Sequence, residues 1–204
     1  MFNSLRKKNA DHALMAAFAD GDRRAAQQLT EQLMPKIYAH AYYRLGNTSD
    51  AEDVTQEAFL KLWKVAPNWK QDKAEVSTWL YRVVSNLCKD RYRRTTLEGT
   101  ASMQEPIDES TSPTSGLEEQ YRQKALYTAM SVLPESQRLA VQLRHIDELT
   151  NPQIAEIMDL SIEAVESLTA RGKRKLSKIL QTQKSELGYN LSLIHISEPT
   201  RLEP

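Results

Sequence analysis

The sequence has a single cysteine, few glycines and no long apolar stretch. One cysteine, Cys88, excludes an internal disulfide and a cysteine-rich metal site. No segment approaches the roughly 20 apolar residues that span a bilayer. The basic N-terminus also lacks the apolar segment of a secretory signal. These absences favour a cytoplasmic protein without membrane insertion.

Glycine is scarce, at 6 of 204 residues. Leucine, alanine, glutamate, lysine, arginine and glutamine are plentiful, and this mixture favours helix over sheet. The four histidines are scattered without the spacing of metal ligands. No glycine-rich phosphate loop or nucleophile motif is visible. We therefore expect an all-α protein that is not an enzyme and carries no metal or cofactor.

The formal net charge of zero hides an uneven distribution. Residues 1–95 hold 16 Lys and Arg against 11 Asp and Glu, a net charge of +5. Residues 96–120 hold six acids and no base, or −6, while residues 121–190 carry +2 and residues 191–204 carry −1. Local charge, rather than the total, steers binding to nucleic acid. Both basic segments are therefore candidates for contact with DNA.

A change in composition divides the chain. Residues 95–117 hold nine Ser and Thr, four acids, two Pro and two Gly, but no Lys or Arg. Such a segment buries too little apolar surface to offset the entropy of ordering. We predict a flexible acidic linker over residues 95–117, joining two small helical domains over residues 1–94 and 118–184, with residues 185–204 as a tail.

The end of the chain has an unusual sequence. Residues 191–201 read LSLIHISEPTR, which is also the translation of a transposase adapter used in sequencing libraries. A native tail prone to β structure is the alternative. We interpret residues 191–201 as an adapter artefact and leave them out of the arguments on fold and function.

Residues 149–176 read LTNPQIAEIMDLSIEAVESLTARGKRKL, with apolar residues at helical spacing. That spacing breaks at Asp159 and Leu160 and then restarts. Ala155 is small where two crossing helices would approach, Leu160 is expected to fill the core at the turn, and Ser161 suits a helix N-cap. The pattern predicts a helix-turn-helix whose second helix enters a major groove. A helical hairpin with a solvated basic end is the alternative.

A second helix is predicted from about residue 74 to residue 94. One face is apolar, and the opposite face carries a polar, mostly basic stripe: Arg82, Asn86, Lys89 and Arg93. Asparagine can read base edges, while the basic side chains can hold phosphates. The nearby Trp63, Trp69 and Trp79 could stack on unpaired bases. For Trp63 and Trp79 a place in the core is the favoured reading, whereas for Trp69 both readings stay open.

The helix predicted over residues 51–65 also has two distinct sides. Its core stripe comprises Ala51, Val54, Ala58, Leu62 and Val65. The other side is acidic with one exposed leucine: Asp53, Gln56, Glu57 and Leu60. Such a surface suits a basic partner protein, and a merely solvated charged face is the alternative.

Three segments, in this order, resemble those of one family. Residues 50–64 (DAEDVTQEAFLKLWK) resemble the polymerase-binding helix of the extracytoplasmic-function (ECF) sigma factors of the sigma-70 family. Residues 77–94 (STWLYRVVSNLCKDRYRR) resemble their −10-reading helix, and residues 133–168 resemble their −35-binding domain.

The resemblance implies a function and partners. Such a protein binds core RNA polymerase, recognises the −35 and −10 promoter elements and promotes DNA melting for transcription initiation. An anti-sigma factor usually holds it inactive. A stand-alone helix-turn-helix transcriptional regulator, which binds duplex DNA without polymerase, is the alternative.

The resemblance also implies roles for individual residues. The polymerase-binding residues would be Asp53, Gln56, Glu57 and Leu60. The −10 element would contact Trp69, Lys70, Arg82, Asn86, Lys89 and Arg93. The −35 duplex would contact Ser167, Leu168, Ala170, Arg171 and Lys173.

The −35 segment departs from the family pattern at several positions, among them Ala164, which replaces a common threonine near the helix start. Leu168 stands where members commonly carry arginine, and Glu166 stands where a base would help to bind phosphate. Gly172 lies inside a predicted helix, where it costs about 1 kcal/mol relative to alanine. The −35 contacts are therefore the part of the implied site that most needs structural examination.

Overall fold

A computed structural model describes the backbone of residues 2–69, 75–97 and 125–187, and the side chains of residues 10–69, 75–94 and 125–181. Every regular element in these ranges is helical, so the predicted all-α fold is confirmed. Lys70, the residues of the predicted linker from 98 to 117 and the tail beyond residue 187 lie outside the described residues.

The N-terminal group contains four α-helices: α1 (Phe2–Ala19), α2 (Arg23–Leu45), α3 (Thr48–Val65) and α4 (Val76–Leu97), with a 3-10 turn at Ala66–Asn68. Asp22 caps α2 by accepting a hydrogen bond from the Arg24 amide at 2.9 Å. At the start of α3 the cap is Asn47, which accepts from the Asp50 amide at 3.0 Å. The helix begins at Thr48 because Asn47, just before it, has an extended backbone and a side-chain oxygen that reaches a free amide of the first turn.

The C-terminal group begins with residues 125–131, the described part of a helix that we label α5. It continues with α6 (Glu135–His145), α7 (Asn151–Met158) and α8 (Ile162–Leu187). Pro134 stands at the N-cap of α6. At the start of α7, the Gln153 side chain accepts from the Thr150 amide at 2.9 Å, which satisfies a donor that the helix leaves open.

Predicted apolar stripes form the core of the N-terminal group. In α3, Ala51, Val54, Ala58 and Leu62 are buried, and in α4 so are Val76, Leu80 and Val84. Val65 was predicted to be buried but is 36% exposed. It is the last residue of α3, where the chain turns into the 3-10 segment and the helical stripe no longer follows the core.

The two groups of helices pack directly against each other. Leu143, Ile154 and Val165 of the C-terminal group belong to one buried cluster with Leu80 and Val84 of α4. We call this contact of α2 and α4 with α6, α7 and the intervening loop the closed arrangement. None of the described helices is both long and apolar enough to cross a membrane.

Candidate docking and nucleic-acid interfaces

The outward face of α3 is exposed as its sequence pattern predicts. Asp53, Gln56, Glu57 and Leu60 all lie at the surface, and the Leu60 side chain is 61% exposed. Glu57 forms an ion pair with Lys61 at 2.9 Å, one helical turn away. A large apolar side chain ringed by carboxylates and an amide can dock a partner through both apolar burial and charge.

Arg91 of α4 ties this face to the neighbouring helix. Its guanidinium lies 2.6 Å from a carboxylate oxygen of Asp50 and 3.0 Å from one of Asp53. All three side chains are at least one-third exposed, so the pairs add little stability. They fix the position of Asp53 relative to α4, a contact that sequence reasoning missed because 38 residues separate Arg91 from Asp53.

The polar stripe of α4 faces solvent. Arg82, Asn86, Lys89 and Arg93 are all exposed along one side of the helix. The opposite side is held by Leu80, Val84 and Cys88 in the core. Three cations and one amide on a rigid helix form a surface that can follow a nucleic-acid strand.

Trp69 and Trp79 form an aromatic cluster at the start of α4, where their rings meet edge-on with centres 5.9 Å apart. Trp63 packs separately on Phe18, with ring centres 4.8 Å apart. All three tryptophans pack against the core, as the favoured sequence reading has it for Trp63 and Trp79. Trp69 is half-buried and its indole N–H donates to Nδ1 of His12 at 3.0 Å.

Beside Trp69 lies a cavity of about 170 Å³. Its walls include His12, Ala16, Asp20 and Pro67 in addition to Trp69. Sequence reasoning did not single out His12, since nothing in the sequence shows that α1 would meet the segment after α3. An unstacked base on this aromatic surface would therefore also meet polar groups in the wall of the cavity.

The helix-turn-helix predicted near the C-terminus is present. Asp159 ends α7 in the left-handed region, at φ 56°. Ser161 caps α8, its hydroxyl accepting from the Ala164 amide at 3.2 Å. Leu160, expected to fill the core at the turn, is instead 40% exposed. The turn points outward, and the buried apolar residues next to it are Ile157 and Val165.

The predicted −35 residues differ in accessibility along α8. Ala170 and Arg171 are exposed, whereas Ser167, Leu168 and Lys173 are half-buried. Leu168 therefore presents only part of its side chain to a groove. Ala170 and Arg171 are the members of the set that a DNA duplex would reach first.

Glu166, which departs from the family pattern, has a structural partner. Its carboxylate accepts a hydrogen bond from the Asn151 amide side chain at 3.0 Å. Asn151 is the first residue of α7, so the contact holds the two helices of the motif together at the surface. The Glu166 carboxylate thus supports the contact between α7 and α8, while its negative charge repels an approaching phosphate.

Gly172 is required by the packing of α8 on α6. A Cβ atom at this position would lie 2.6 Å from Cγ2 of Val141 and 3.2 Å from the backbone oxygen of Gln137. Gly172 is buried. The helix-propensity cost of glycine noted in the sequence is thus offset by a close helix–helix approach.

A basic face lies farther along α8. The residues along it are mostly cationic: Arg171, Arg174, Lys175, Ser177, Lys178 and Gln181. Such a surface suits the phosphates that flank a base-reading helix.

Two family models match the chain in the order of these surfaces. Sigma-70 region 2 matches residues 29–98, which include α3 and α4. Sigma-70, region 4 matches residues 123–176, which include the helix-turn-helix.

Similar proteins are matched over two thirds or more of their own length. ECF RNA polymerase sigma factor SigW of Bacillus subtilis (strain 168) is 28% identical, over 79% of this chain and 91% of that protein. The ECF RNA polymerase sigma-E factor of Escherichia coli (strain K12) is 29% identical, over 84% and 94%. ECF RNA polymerase sigma factor SigE of Mycolicibacterium smegmatis is 30% identical, over 82% of this chain and 67% of that protein.

Two solved structures share the architecture. CnrH, in complex with the cytosolic domain of CnrY, matches 85% of this chain and 98% of its own with a TM-score of 0.66 and 25% identity. The sigma factor RpoE of Bartonella quintana, in complex with the anti-sigma factor NepR, matches 76% and 96% with a TM-score of 0.62. At 19% identity, the second match concerns the fold alone.

Proposed function

We propose, since this chain belongs to the ECF sigma factors of the sigma-70 family, that it binds core RNA polymerase and directs it to promoters. It recognises −35 and −10 elements and promotes DNA melting for transcription initiation. The observation that carries the proposal is the order of the two matched regions on one chain. Region 2 coincides with an exposed docking face and a basic stripe, and region 4 with a helix-turn-helix.

We assign polymerase docking to the α3 face. Leu60 is its apolar centre, and Asp53, Gln56 and Glu57 surround it with polar and acidic groups. When a partner buries a solvent-exposed leucine of this kind, removal of its apolar surface from water contributes favourable free energy to binding. Arg91 holds Asp53 in place from the adjacent helix.

Contacts with the −10 element are assigned to α4 and the aromatic cluster before it. Arg82, Lys89 and Arg93 would hold phosphates, and Asn86 would meet base edges. Trp69, beside its cavity, would take an unstacked base. Lys70 completes the set from the sequence resemblance.

The −35 duplex is assigned to α8. Ala170 and Arg171 lead this contact because they are exposed, and Ser167, Leu168 and Lys173 flank them. The basic face of α8 beyond them would bind the phosphates on either side. An exposed Arg171 can contact either phosphate or guanine.

The proposed domain organisation follows the same division. Residues 1–94 form the region 2 domain, residues 95–117 the acidic linker, of which the first three continue α4, and residues 118–184 the region 4 domain. RpoE, one of the structural neighbours, was crystallised with the anti-sigma factor NepR, and a comparable anti-sigma partner is expected here. The cytoplasm, where polymerase works, is the expected location.

We assign no enzymatic activity to the chain, although one side-chain arrangement has the order of a hydrolase triad. Ser85 Oγ lies 3.0 Å from His40 Nε2, and His40 Nδ1 lies 2.7 Å from Asp147 Oδ2. Ser85 is only 6% exposed and His40 is fully buried. A substrate carbonyl cannot reach a nucleophile so enclosed.

The proposal is tested by replacing the apolar centre of the docking face. Leu60→Ala should weaken binding to core polymerase about tenfold or more and reduce promoter-specific transcription in proportion, because burial of the leucine is lost. The fold should tolerate the change, since Leu60 is 61% exposed. Affinity for core polymerase and run-off transcription from a cognate promoter are the measurements.

Val132→Ala is the matched control. It removes an exposed apolar side chain, 54% accessible, from the other domain and should leave core binding unchanged. Equal core binding by Leu60→Ala and Val132→Ala would contradict the docking assignment. Tight duplex binding by the parent chain, with no effect on polymerase, would favour the stand-alone regulator instead.

A further inference from the structure

A residue of the first helix holds the side chain of Trp69. The indole N–H of Trp69 donates to Nδ1 of His12 at 3.0 Å. The two rings are tilted by 39°, with their centres 6.2 Å apart. An indole has one donor and no acceptor, so this bond uses the whole hydrogen-bonding capacity of the Trp69 side chain. For Nδ1 to accept, the His12 ring must be neutral at that nitrogen.

His12 is itself fixed by the packing of α1. Its side chain is buried, at 4% exposure, and Met15 on the same helix is fully buried in the core. The helix packs on α2 and on the 3-10 turn that precedes Trp69. His12 therefore presents its acceptor nitrogen from a rigid helix and not from a loop.

The Trp69 ring depends on such contacts for its orientation. Trp69 follows the 3-10 turn and is half-buried. The torsion that turns an aromatic ring about its bond to Cβ has a broad energy profile, so neighbouring groups decide where the ring points. Trp79 of α4 meets the ring edge-on, with centres 5.9 Å apart. His12 and Trp79 together fix the ring from two different helices.

His12 and Trp69 are both walls of the cavity of about 170 Å³. Ala16 and Ala19 of α1 also line it, and their small side chains leave the space between α1 and Trp69 open. One water needs roughly 10–15 Å³ of such space, so a planar ring can enter. The first helix thus forms part of the wall beside which a base would stack on Trp69.

The match to the family does not extend to this helix. Sigma-70 region 2 begins to match at residue 29, so Trp69 lies inside the matched segment and His12 before it. In the sequence, 57 residues separate the two. A role for His12 therefore follows from the contact itself and not from the matched pattern.

We propose that His12 is a positioning residue for −10 recognition, which holds the indole of Trp69 in the orientation on which an unstacked base of the −10 element stacks. This role rests on the proposed function and adds α1 to the base site. A ring that is already oriented spends less of the stacking free energy on its own ordering. Loss of the His12 acceptor should therefore weaken the contact with one base and leave the phosphate contacts of α4 unchanged.

Two substitutions of similar shape test this role. His12→Leu and His12→Asn both introduce a short side chain branched at Cγ. The asparagine oxygen can accept from the indole N–H, whereas leucine has no acceptor. Leucine suits a residue that is 4% exposed beside the core, so the fold should persist. Binding of each variant to core polymerase, which uses the separate α3 face, checks this.

The measurement is the affinity of the complex with core polymerase for single-stranded oligonucleotides that carry the −10 element. One oligonucleotide is intact, and each of the others has an abasic site at one position. For the parent chain, one abasic position should cost at least about fivefold, since an aromatic side chain contributes that much to a stacked base. His12→Leu should lose a comparable factor on the intact oligonucleotide and nothing further at that abasic position. His12→Asn should bind like the parent.

Trp69→Phe tests the same bond from its other end. Phenylalanine keeps an aromatic ring at this position but has no N–H to donate. In this background His12→Leu should cause no further loss of affinity, because the bond that it removes is already absent. An additional loss equal to that in the parent background would show that His12 acts through some other contact and would overturn the proposal.

The remaining outcomes separate this role from a structural one. If His12→Leu weakened binding to the intact and the abasic oligonucleotides equally, its effect would be a general one on the fold and the proposal would be overturned. Equal losses for His12→Leu and His12→Asn, or no loss for His12→Leu, would overturn it as well. If the parent complex bound no −10 oligonucleotide and directed no transcription from a cognate promoter, the proposed function itself would be wrong.

Discussion

Single residues of this protein are explained by contacts that the sequence does not display. Leu160 and Val65 were predicted to be buried by their place in an apolar pattern, yet they are 40% and 36% exposed. Both lie where a helix gives way to a turn. Helical periodicity predicts which residues of a helix face the core, but it does not predict the direction in which the chain leaves the helix.

Gly172→Ala is a prediction at this scale in which two effects oppose each other. Alanine gains about 1 kcal/mol in helix propensity, whereas overpacking typically costs about 1–3 kcal/mol. The new Cβ would lie 2.6 Å from Val141, a stiff β-branched residue, and 3.2 Å from a backbone oxygen that cannot rotate away. We therefore expect a net loss of up to about 2 kcal/mol in unfolding free energy, measured by urea denaturation.

Ala170→Gly serves as the comparison for that experiment. Ala170 is exposed on the same helix, so the change should cost about 1 kcal/mol through propensity alone. A gain in stability for Gly172→Ala would mean that α6 and α8 do not approach as closely as described.

At the scale of the element, sequence reasoning was most successful. The cap Ser161, the core faces of α3 and α4 and the turn of the helix-turn-helix are all present. These features depend on spacings of a few residues, which a sequence displays directly. The contact of Asn151 with Glu166 joins two helices, and local spacing gives no signal for it.

Arg171→Ala should weaken binding to a −35 duplex and reduce its dependence on salt. Loss of one phosphate contact lowers the slope of log affinity against log salt concentration by about 1. Arg171 is exposed and lies on the basic face of α8. Titrations at several salt concentrations would measure the slope, and an unchanged slope would remove Arg171 from the phosphate contacts.

Glu166→Lys should have the opposite effect on the same duplex. It replaces a negative charge on α8, the helix proposed to enter the −35 duplex, by a positive one, so affinity and salt dependence should both rise. Loss of the exposed bond to Asn151 should cost less than about 1 kcal/mol of stability. Glu31→Lys makes the same change of charge on α2, where Glu31 is exposed, and should alter duplex binding much less.

For the whole molecule, the sequence predicts two helical domains but not their contact. His40 and Asp147 are 107 residues apart, and neither stands in a motif. A buried histidine of α2 and an aspartate in a loop give no local sign that they will meet. Contacts between domains depend on surface shape, which residue spacing does not encode.

Closure should weaken as the pH falls. The pKa of His40 is lowered by burial in the closed state, whereas an exposed histidine titrates near 6.5. The open chain therefore binds protons first, and the ratio of closed to open molecules should fall below pH 6.5 by up to about tenfold per unit. Above that range the ratio should be constant. Small-angle scattering between pH 8 and pH 5.5 would measure it.

Other groups near His40 do not reverse this direction. Asp147 favours the protonated ring, Arg44 disfavours it, and Tyr81 lies edge-on at 5.1 Å with its pKa raised by burial and by Asp147. Gln142 and Ser85 are neutral. His40→Gln should remove the pH dependence, while His145→Gln, at an exposed residue of α6, should keep it. If the parent chain is closed and its radius of gyration stays constant between pH 8 and pH 5.5, the assignment of the pH dependence to His40 is contradicted.

The closed arrangement also has a consequence for how affinities are measured. If only open molecules can span a promoter, the apparent dissociation constant equals the intrinsic one divided by the open fraction. A chain that is open one time in a hundred would thus bind about a hundredfold more weakly than its contacts allow. Substitutions at Arg44 or Glu135, whose side chains pair across the domain contact and lie far from any base, could then raise promoter affinity by conformational selection alone.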